Sequence, residues 1–166
     1  AVLSRHGDRF PRLSALGEGI EDIPVLREKI PEMIDPRDGV RDEATEKLAG
    51  FRRENRELRQ ALRTRATAIL QRPKLRKCFQ TDGLTVKNDR YLLPVKAEYR
   101  SWMSGPVRDR SHSGSTLYIE PEEIVQDGDR LLSLLDRERD EVLRILWELT
   151  RTVREHRADI RRIEEK

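Results

Sequence analysis

The stretch that decides the fold is residues 42–71, which read DEATEKLAGFRRENRELRQALRTRATAILQ. Mostly apolar positions recur in it at alternating steps of four and three, which is the spacing of a coiled-coil seam. These positions are Ala44, Leu48, Phe51, Asn55, Leu58, Leu62, Arg65 and Ile69. At 1.5 Å per residue the stretch predicts a helix roughly 45 Å long. Asp42 is expected to cap this helix, Pro73 to end it, and Asn55 to fix its register.

A second helix with the same seam is predicted for residues 122–166. Pro121 and the neighbouring acids suit the positive end of a helix, and no proline follows them. The seam positions are Ile124, Gly128, Leu131, Leu135, Glu138, Val142, Ile145, Leu149, Thr152, His156 and Ile163. Because the two helices have like seams and flank a β-prone segment, the simplest packing places them antiparallel. Gly128 is expected to be a weak point or a site of close approach.

Short β-prone runs between the two helices predict three to five antiparallel strands. Residues 84–87 and 90–93 are separated by Asn88-Asp89, a pair suited to a tight hairpin turn. Further strand-like runs cover residues 95–99, 107–110 and 115–119. Pro94 is expected at a sheet edge or a bulge, where a missing backbone donor costs little.

Composition agrees with a thin helical molecule. Charged residues make up 39% of the 166 residues, whereas hydrophobic residues reach 36% and aromatic residues 5%. The predicted fold class is mainly α, a long antiparallel helical hairpin with a small antiparallel β insertion at its tip. Residues 1–19 are predicted to be an irregular lead-in, 20–79 the outgoing helices, 80–121 the β unit and 122–166 the returning helix. Within the outgoing part, a short helix kinked by Pro31 precedes the long one.

The predicted β unit combines cations, aromatic rings and hydroxyl groups. Its cations are Lys87, Arg90, Lys96, Arg100, Arg108 and Arg110, and its rings are Tyr91, Tyr99, Trp102 and Tyr118. A loop adds Ser111, His112, Ser113 and Ser115. Arginine and lysine neutralise phosphate charge, and hydroxyls and loop amides hydrogen-bond phosphate oxygens. These ten cationic and loop residues are therefore the predicted nucleic-acid-binding site. The alternative is that the loop is only a hairpin turn and Trp102 only a core residue.

No catalytic or metal-binding constellation is found in the sequence. The three histidines are scattered, Cys78 is the only cysteine, and no phosphate-binding loop motif occurs. The closeness of Asp109, Ser111 and His112 on one loop does not provide the geometry of a triad. We therefore expect this chain to lack enzyme activity, cofactors and metals. No membrane span or secretory leader is seen, so a cytoplasmic location without membrane contact is expected.

Two long runs resemble the MutS type II family. They are NDRYLLPVKAEYRS at residues 88–101 and DRSHSGSTLYIEP at 109–121, and residues 40–53, VRDEATEKLAGFRR, are also similar. The resemblance extends over about residues 20–165. This chain departs from the family pattern at Arg108, where a histidine is common, and at His112, where a serine is usual. Both differences retain or add positive charge.

The resemblance implies lever arms that carry a clamp around nucleic acid. It also implies a longer, homodimeric protein with an ATPase that uses ATP and magnesium, often followed by a nuclease domain. The family is associated with suppressing recombination through branched DNA and with rescuing collided ribosomes. Two hypotheses follow: a sequence-independent DNA clamp, or a structural coiled-coil arm that docks on the ribosome.

Overall fold

A computed structural model describes residues 23–164, so the lead-in predicted for residues 1–19 lies outside the described residues. The helices are α1 (Pro24–Met33), α2 (Glu46–Leu70), α3 (Glu122–Glu155) and α4 (Arg157–Glu164). The strands are β1 (Ile34–Asp35), β2 (Gly39–Val40), β3 (Thr85–Lys87), β4 (Arg90–Lys96), β5 (Val107–Arg110) and β6 (Thr116–Ile119). The described chain forms two compact units, which we call the sheet unit (46–140) and the flanking unit (23–45 with 141–164). The fold is mixed, helical with an antiparallel sheet.

Helix α2 follows the predicted seam along most of its length. Its buried residues are Leu48, Phe51, Asn55, Leu62, Ala66, Ile69 and Leu70. The prediction is wrong at Arg65, which is exposed, because burial passes to Ala66. A straight helix with 3.6 residues per turn drifts by about 20° per heptad against a 3.5-residue repeat, so after three heptads Arg65 lies about 60° from the original face and Ala66 only about 40° from it.

The start of α2 differs from the prediction. Asp42 lies in a 3-10 turn, Asp42–Ala44, and α2 begins only at Glu46. Thr45 has an extended backbone, with φ −144° and ψ 151°, and this conformation separates the turn from the helix. The predicted cap by Asp42 is therefore wrong.

Within the sheet unit, α2 and the first part of α3 run antiparallel. Arg72 of the segment after α2 contacts Glu123 at 2.6 Å, Arg65 pairs with Asp127, and Arg52 contacts Glu138 at 3.0 Å. The partner positions on α3 therefore increase along the sequence as the positions on the α2 side decrease, which is the order expected for antiparallel helices. Asn55 also donates to Glu138, at 2.6 Å, from its position on the buried seam.

The sheet has four antiparallel strands in the order β3-β4-β6-β5. Strand β4 is buried from Tyr91 to Val95 because both of its faces are covered. One apolar cluster joins the end of α2 to the sheet and contains Ile69, Leu70, Phe79, Leu93, Val95, Met103, Leu117 and Ile119. A second joins α2, β4 and α3 and contains Leu62, Ala66, Tyr91, Ile124 and Leu131. These clusters hold the sheet against the helices.

Two local predictions about β4 need correction. Pro94 lies in a strand with neighbours on both sides, not on an edge strand, but the β3 ladder ends at Leu92. The backbone nitrogen of Pro94, which has no hydrogen to donate, therefore faces away from β6. On that same side, the Pro94 carbonyl accepts a hydrogen bond from the Gln80 amide. Residues 97–99, predicted to be strand, belong to a 3-10 turn, Ala97–Trp102. The guanidinium of Arg100 helps to hold the chain after this turn by donating to backbone carbonyls.

The turn between β3 and β4 has the predicted hairpin form. Asn88 and Asp89 have φ values of 48° and 61°, the left-handed conformation that a type I′ turn requires. We expect Asn88→Val to lower the free energy of unfolding by about 1–2 kcal/mol, because a β-branched side chain is strained at positive φ. Asn88→Gly should leave it unchanged or slightly raised. Urea unfolding of both variants measures this, and an Asn88→Val chain as stable as wild type would contradict the turn geometry.

The flanking unit contains α1, the short β1-β2 hairpin, the last part of α3 and α4. Pro31 lies inside α1, as predicted, and its carbonyl accepts a 2.8 Å hydrogen bond from Arg41. Arg41 also pairs with Asp35 at 3.2 Å. The predicted continuous C-terminal helix is interrupted at His156, which separates α3 from α4. Among residues 23–164, no helix has the length and apolar character that crossing a membrane requires.

Candidate nucleic-acid interface

One end of the sheet gathers several of the predicted binding residues. Phe79, Val95, Leu117 and Arg110 form a row across the strands. The next row outward pairs Lys96 with Thr116, and the loop 111–115 lies beyond it. We call Lys96 together with residues 110–116 the serine-loop end. Because antiparallel strands fix this register, Lys96 and Arg110 lie at the same end of the sheet although they are far apart in the sequence.

The loop at this end is ordered by its own hydroxyl groups. The Thr116 amide donates to Ser111 Oγ at 3.0 Å, and the Ser111 amide donates to the Thr116 carbonyl at 2.9 Å. Ser113 Oγ lies 2.8 Å from Ser115 Oγ, and Gly114 has a φ of +73°, which closes the turn. Ser113 and Ser115 are exposed. The hydroxyls therefore form a fixed cluster at the surface that retains further hydrogen-bonding capacity.

Two of the predicted cations at this end are available for binding. Within residues 23–164, neither Lys96 nor Arg110 forms an ion pair. Arg110 and the neighbouring His112 are exposed, and Lys96 is partly exposed. An unpaired cation beside exposed hydroxyls is a suitable partner for a phosphate group, because no internal carboxylate has to be displaced.

Lys87 of β3 forms an ion pair with an acidic residue of another strand. Its ammonium pairs with Asp109 and lies 5.0 Å from the centre of the Tyr118 ring. The hydrogen bond to Asp109 raises the pKa of Lys87, and the same bond lowers the pKa of the Asp109 carboxyl. Its charge is largely balanced by this neighbour, so Lys87 is a weaker candidate for phosphate contact than Lys96.

Arg90 and Arg108 meet at the opposite end of the sheet, around the buried carboxylate of Glu120. Arg90 contacts Glu120 at 2.8 Å and Asp129 at 2.5 Å, and Arg108 contacts Glu120 at 2.8 Å. The Glu120 side chain is 1% exposed. Arg108 lies at a bulge between Val107 and Asp109, which redirects its side chain. We call Arg90, Arg108, Glu120 and Asp129 the Glu120 cluster.

The electrostatics of the Glu120 cluster agree with a structural role. Burial acts to lower the pKa of Arg90, but hydrogen bonds to Asp129 and Glu120 outweigh it, so that pKa is raised. Gly128 packs directly against the cluster, and a Cβ atom at this position would collide with the Glu120 carboxylate. The close approach predicted at Gly128 is confirmed. Because Gly128 has no side chain, the Glu120 carboxylate has room to lie against α3 and pair with the arginines.

A basic segment that sequence reasoning did not select lies beside the end of β4. Lys74, Arg76 and Lys77 follow α2, and the Phe79–Val95 bridge brings this segment to the sheet. Lys77 lies 4.2 Å from the centre of the Trp102 ring and 5.8 Å from that of Tyr99. The signal was present in the sequence, because residues 72–77 contain four basic residues.

Sequence comparisons give a consistent result. No protein-family model matches the chain. It is 34% identical over 163 residues, 97% of its length, to the protein named Endonuclease MutS2 of Geobacillus thermodenitrificans. It is 39% identical over 138 residues, 83% of its length, to the protein of the same name in Thermus thermophilus. The likeness is at the level of the MutS2 family. The chain spans about a fifth of these relatives, 21% and 18% of their length.

The structure of this MutS2-like chain separates the predicted cations into two groups. Lys96 and Arg110 lie at the same end of the sheet as the loop with Ser111, His112, Ser113 and Ser115, although the register places their side chains on opposite faces. The others have internal partners: Lys87 with Asp109, Arg90 and Arg108 with Glu120, and Arg100 with the carbonyls of Met103 and Gly105 at 2.6 and 3.0 Å. Over the described range, no cluster of three or more His, Cys, Asp or Glu side chains is placed to hold a metal ion. The MutS2-like chain thus presents exposed polar and cationic side chains at the serine-loop end.

Proposed function

We propose that this chain is the lever and clamp part of a MutS-like ATPase that suppresses recombination by binding branched DNA without sequence preference. The observation that carries the proposal is the serine-loop end, where the unpaired Lys96 and Arg110 flank exposed hydroxyl groups. Contacts of this kind are directed at phosphate oxygens, which carry no sequence information. Binding through them would therefore depend on charge and shape and not on base order.

The lever part of the proposal rests on the sheet unit. Helix α2 and the first part of α3 are joined by ion pairs between Arg52 and Glu138 and between Arg72 and Glu123, with the four-stranded sheet between them in the sequence. Such an arrangement supports a helical hairpin that carries a β clamp. We assign the ATP- and magnesium-dependent ATPase, the endonuclease activity that the names of the relatives state, and dimer formation to other parts of a longer cytoplasmic protein.

A structural or ribosome-docking arm is the second candidate function. The observation that favours it is an exposed apolar face on α3, where Leu143, Leu146 and Trp147 are 49%, 39% and 71% exposed. Large apolar side chains at steps of three and four on one helix face are typical of a surface that binds protein. This face belongs to the flanking unit, so the two functions can be tested by different substitutions.

Replacing Lys96 and Arg110 by glutamate is expected to weaken DNA binding across unrelated sequences. Each lost phosphate contact lowers the slope of log K against log salt by about 0.9, so the slope should decrease by about two units. The measurement is fluorescence anisotropy of the chain with a four-way junction and with two duplexes of unrelated sequence, at several salt concentrations.

The matched control carries Arg139→Glu and Arg161→Glu, which change the charge by the same amount at exposed helical positions. It should retain most of the wild-type affinity. If the Lys96 and Arg110 variant keeps its helical content, its affinity and its salt slope, the serine-loop end does not contact phosphate. Ribosome binding lost on Trp147→Ala, with DNA binding unaffected, would then favour the docking arm.

A further inference from the structure

The ring of Trp102 is held in place yet left in solvent. It ends the 3-10 turn Ala97–Trp102 and is 50% exposed, whereas the next residue, Met103, is buried in the core. The Tyr99 ring meets it nearly perpendicularly, at 89° and a centroid distance of 6.0 Å. The Lys77 ammonium lies 4.2 Å from the centre of its ring. These contacts order an aromatic surface that folding does not bury.

A core role does not account for this arrangement. A tryptophan that served only to fill the interior would place its large ring in the cluster that contains Met103, and Trp102 does not belong to that cluster. A cation–π contact at an exposed site contributes only about 0.5–1 kcal/mol, which is small compared with the apolar area that stays in water. An ordered ring with a free surface and an adjacent cation is instead typical of a site that stacks a nucleic-acid base.

We propose that Trp102, Tyr99 and Lys77 form a stacking site for an unpaired base. This inference rests on the proposed nucleic-acid function and specifies what that surface recognises. The ring supplies a π surface for the base, and Lys77, with Lys74 and Arg76 in the same segment, supplies charge for the adjacent phosphates. Bases inside a duplex are already stacked on both faces, so the ligand is a base at a branch point, a gap or a single-stranded end.

The site adjoins the serine-loop end. Strand β4 ends at Lys96, the 3-10 turn with Tyr99 and Trp102 follows directly, and the Ala97 amide donates to the Ser115 carbonyl at 2.9 Å. One nucleic-acid strand can therefore contact phosphate-binding groups at the serine-loop end and place an unpaired base on Trp102. This gives the surface a preference for branched over fully paired DNA without any reading of base edges.

The test compares single-stranded and duplex DNA of equal length with wild type, Trp102→Ala and Trp102→Phe. Trp102→Ala should bind oligo-dT about tenfold or more weakly, the effect expected for losing one stacked base, and should bind the duplex unchanged. Trp102→Phe, which keeps a ring, should retain most of the affinity. Trp147→Ala is the matched control, because Trp147 is the second tryptophan and is also exposed. Oligo-U in parallel distinguishes RNA from DNA as the source of the base.

A second measurement does not depend on the folding of the alanine variant. In a Trp147→Phe chain Trp102 is the only tryptophan, so emission excited selectively from tryptophan reports on its ring. Oligo-dT should quench this emission at the concentration at which it binds, whereas the duplex should not. Unchanged fluorescence with bound oligo-dT, or an equal loss of duplex and single-strand affinity in Trp102→Ala, would overturn the stacking site while leaving the clamp proposal in place. A wild-type chain that binds neither DNA would refute the clamp proposal itself.

Discussion

Replacing Glu120 by alanine is expected to lower the free energy of unfolding by about 3–5 kcal/mol, the effect of removing one partner from a buried ion pair. Glu120 accepts hydrogen bonds from both Arg90 and Arg108, and its side chain is 1% exposed. Without it, the Arg90 guanidinium, itself 14% exposed, retains only Asp129 as an acidic partner among residues 23–164. The Arg90 charge would then stay largely shielded from water while one of its two carboxylate partners is missing.

Glu122→Ala provides the matched control for this prediction. Glu122 also lies at the start of α3 and is exposed, so its loss should cost less than about 1 kcal/mol through the helix dipole. Both variants are compared with wild type by urea unfolding at neutral pH, followed by far-UV circular dichroism. If Glu120→Ala were no more destabilising than Glu122→Ala, the Glu120 cluster would not be a structural centre of the sheet unit.

Gly128→Ala and Gly50→Ala are expected to change stability in opposite directions. Both glycines lie inside helices, where alanine is favoured by about 0.5–1 kcal/mol. Nothing lies within 4 Å of a Cβ at Gly50, so Gly50→Ala should be stabilising by about that amount. A Cβ at Gly128 collides with the Glu120 carboxylate, which is held by two arginines, so Gly128→Ala should be destabilising by about 1–3 kcal/mol.

A double-mutant cycle identifies the cause of this sign reversal. In a chain that already carries Glu120→Ala, the colliding carboxylate is absent, and Gly128→Ala should recover the helix-forming advantage of alanine. The coupling between the two positions should then exceed the deviations of a few tenths of a kcal/mol found for independent sites. Equal effects of Gly128→Ala in both backgrounds would show that the glycine is required for another reason.

Sequence reasoning worked best where one local pattern determines the structure. The heptads predicted α2, and Asn88-Asp89 predicted the hairpin turn, because helix periodicity and left-handed turns depend on neighbours in the chain. The cap at Asp42 could not be predicted correctly, because a 3-10 turn takes its place. The binding role of the loop residues stays a prediction.

The candidate site was harder to predict, because pairing between distant residues is invisible to a count of charges. Arg90 and Glu120 are 30 positions apart, and so are Arg59 and Asp89, yet both pairs are in contact. A count of basic residues therefore treats Arg90 and Arg108 like Arg110, although Arg90 and Arg108 form ion pairs with the buried Glu120. Lys77 shows the reverse error: it lies within residues 20–79, the predicted outgoing helices, whereas the isolated bridge at Phe79 places its segment beside the sheet.

The ladder of ion pairs between α2 and α3 has a consequence for how the chain folds. Arg72 and Glu123 are 51 residues apart, Arg65 and Asp127 are 62 apart, and Arg52 and Glu138 are 86 apart. Once the sheet has closed the shortest loop, the next two pairs enclose 11 and then 24 further residues, and the added entropy cost of closure is small because it grows only slowly with loop length. Folding is therefore expected to begin at the sheet, and contacts between α2 and α3 then form progressively away from it. The Arg52–Glu138 pair should form late in folding and break first in unfolding.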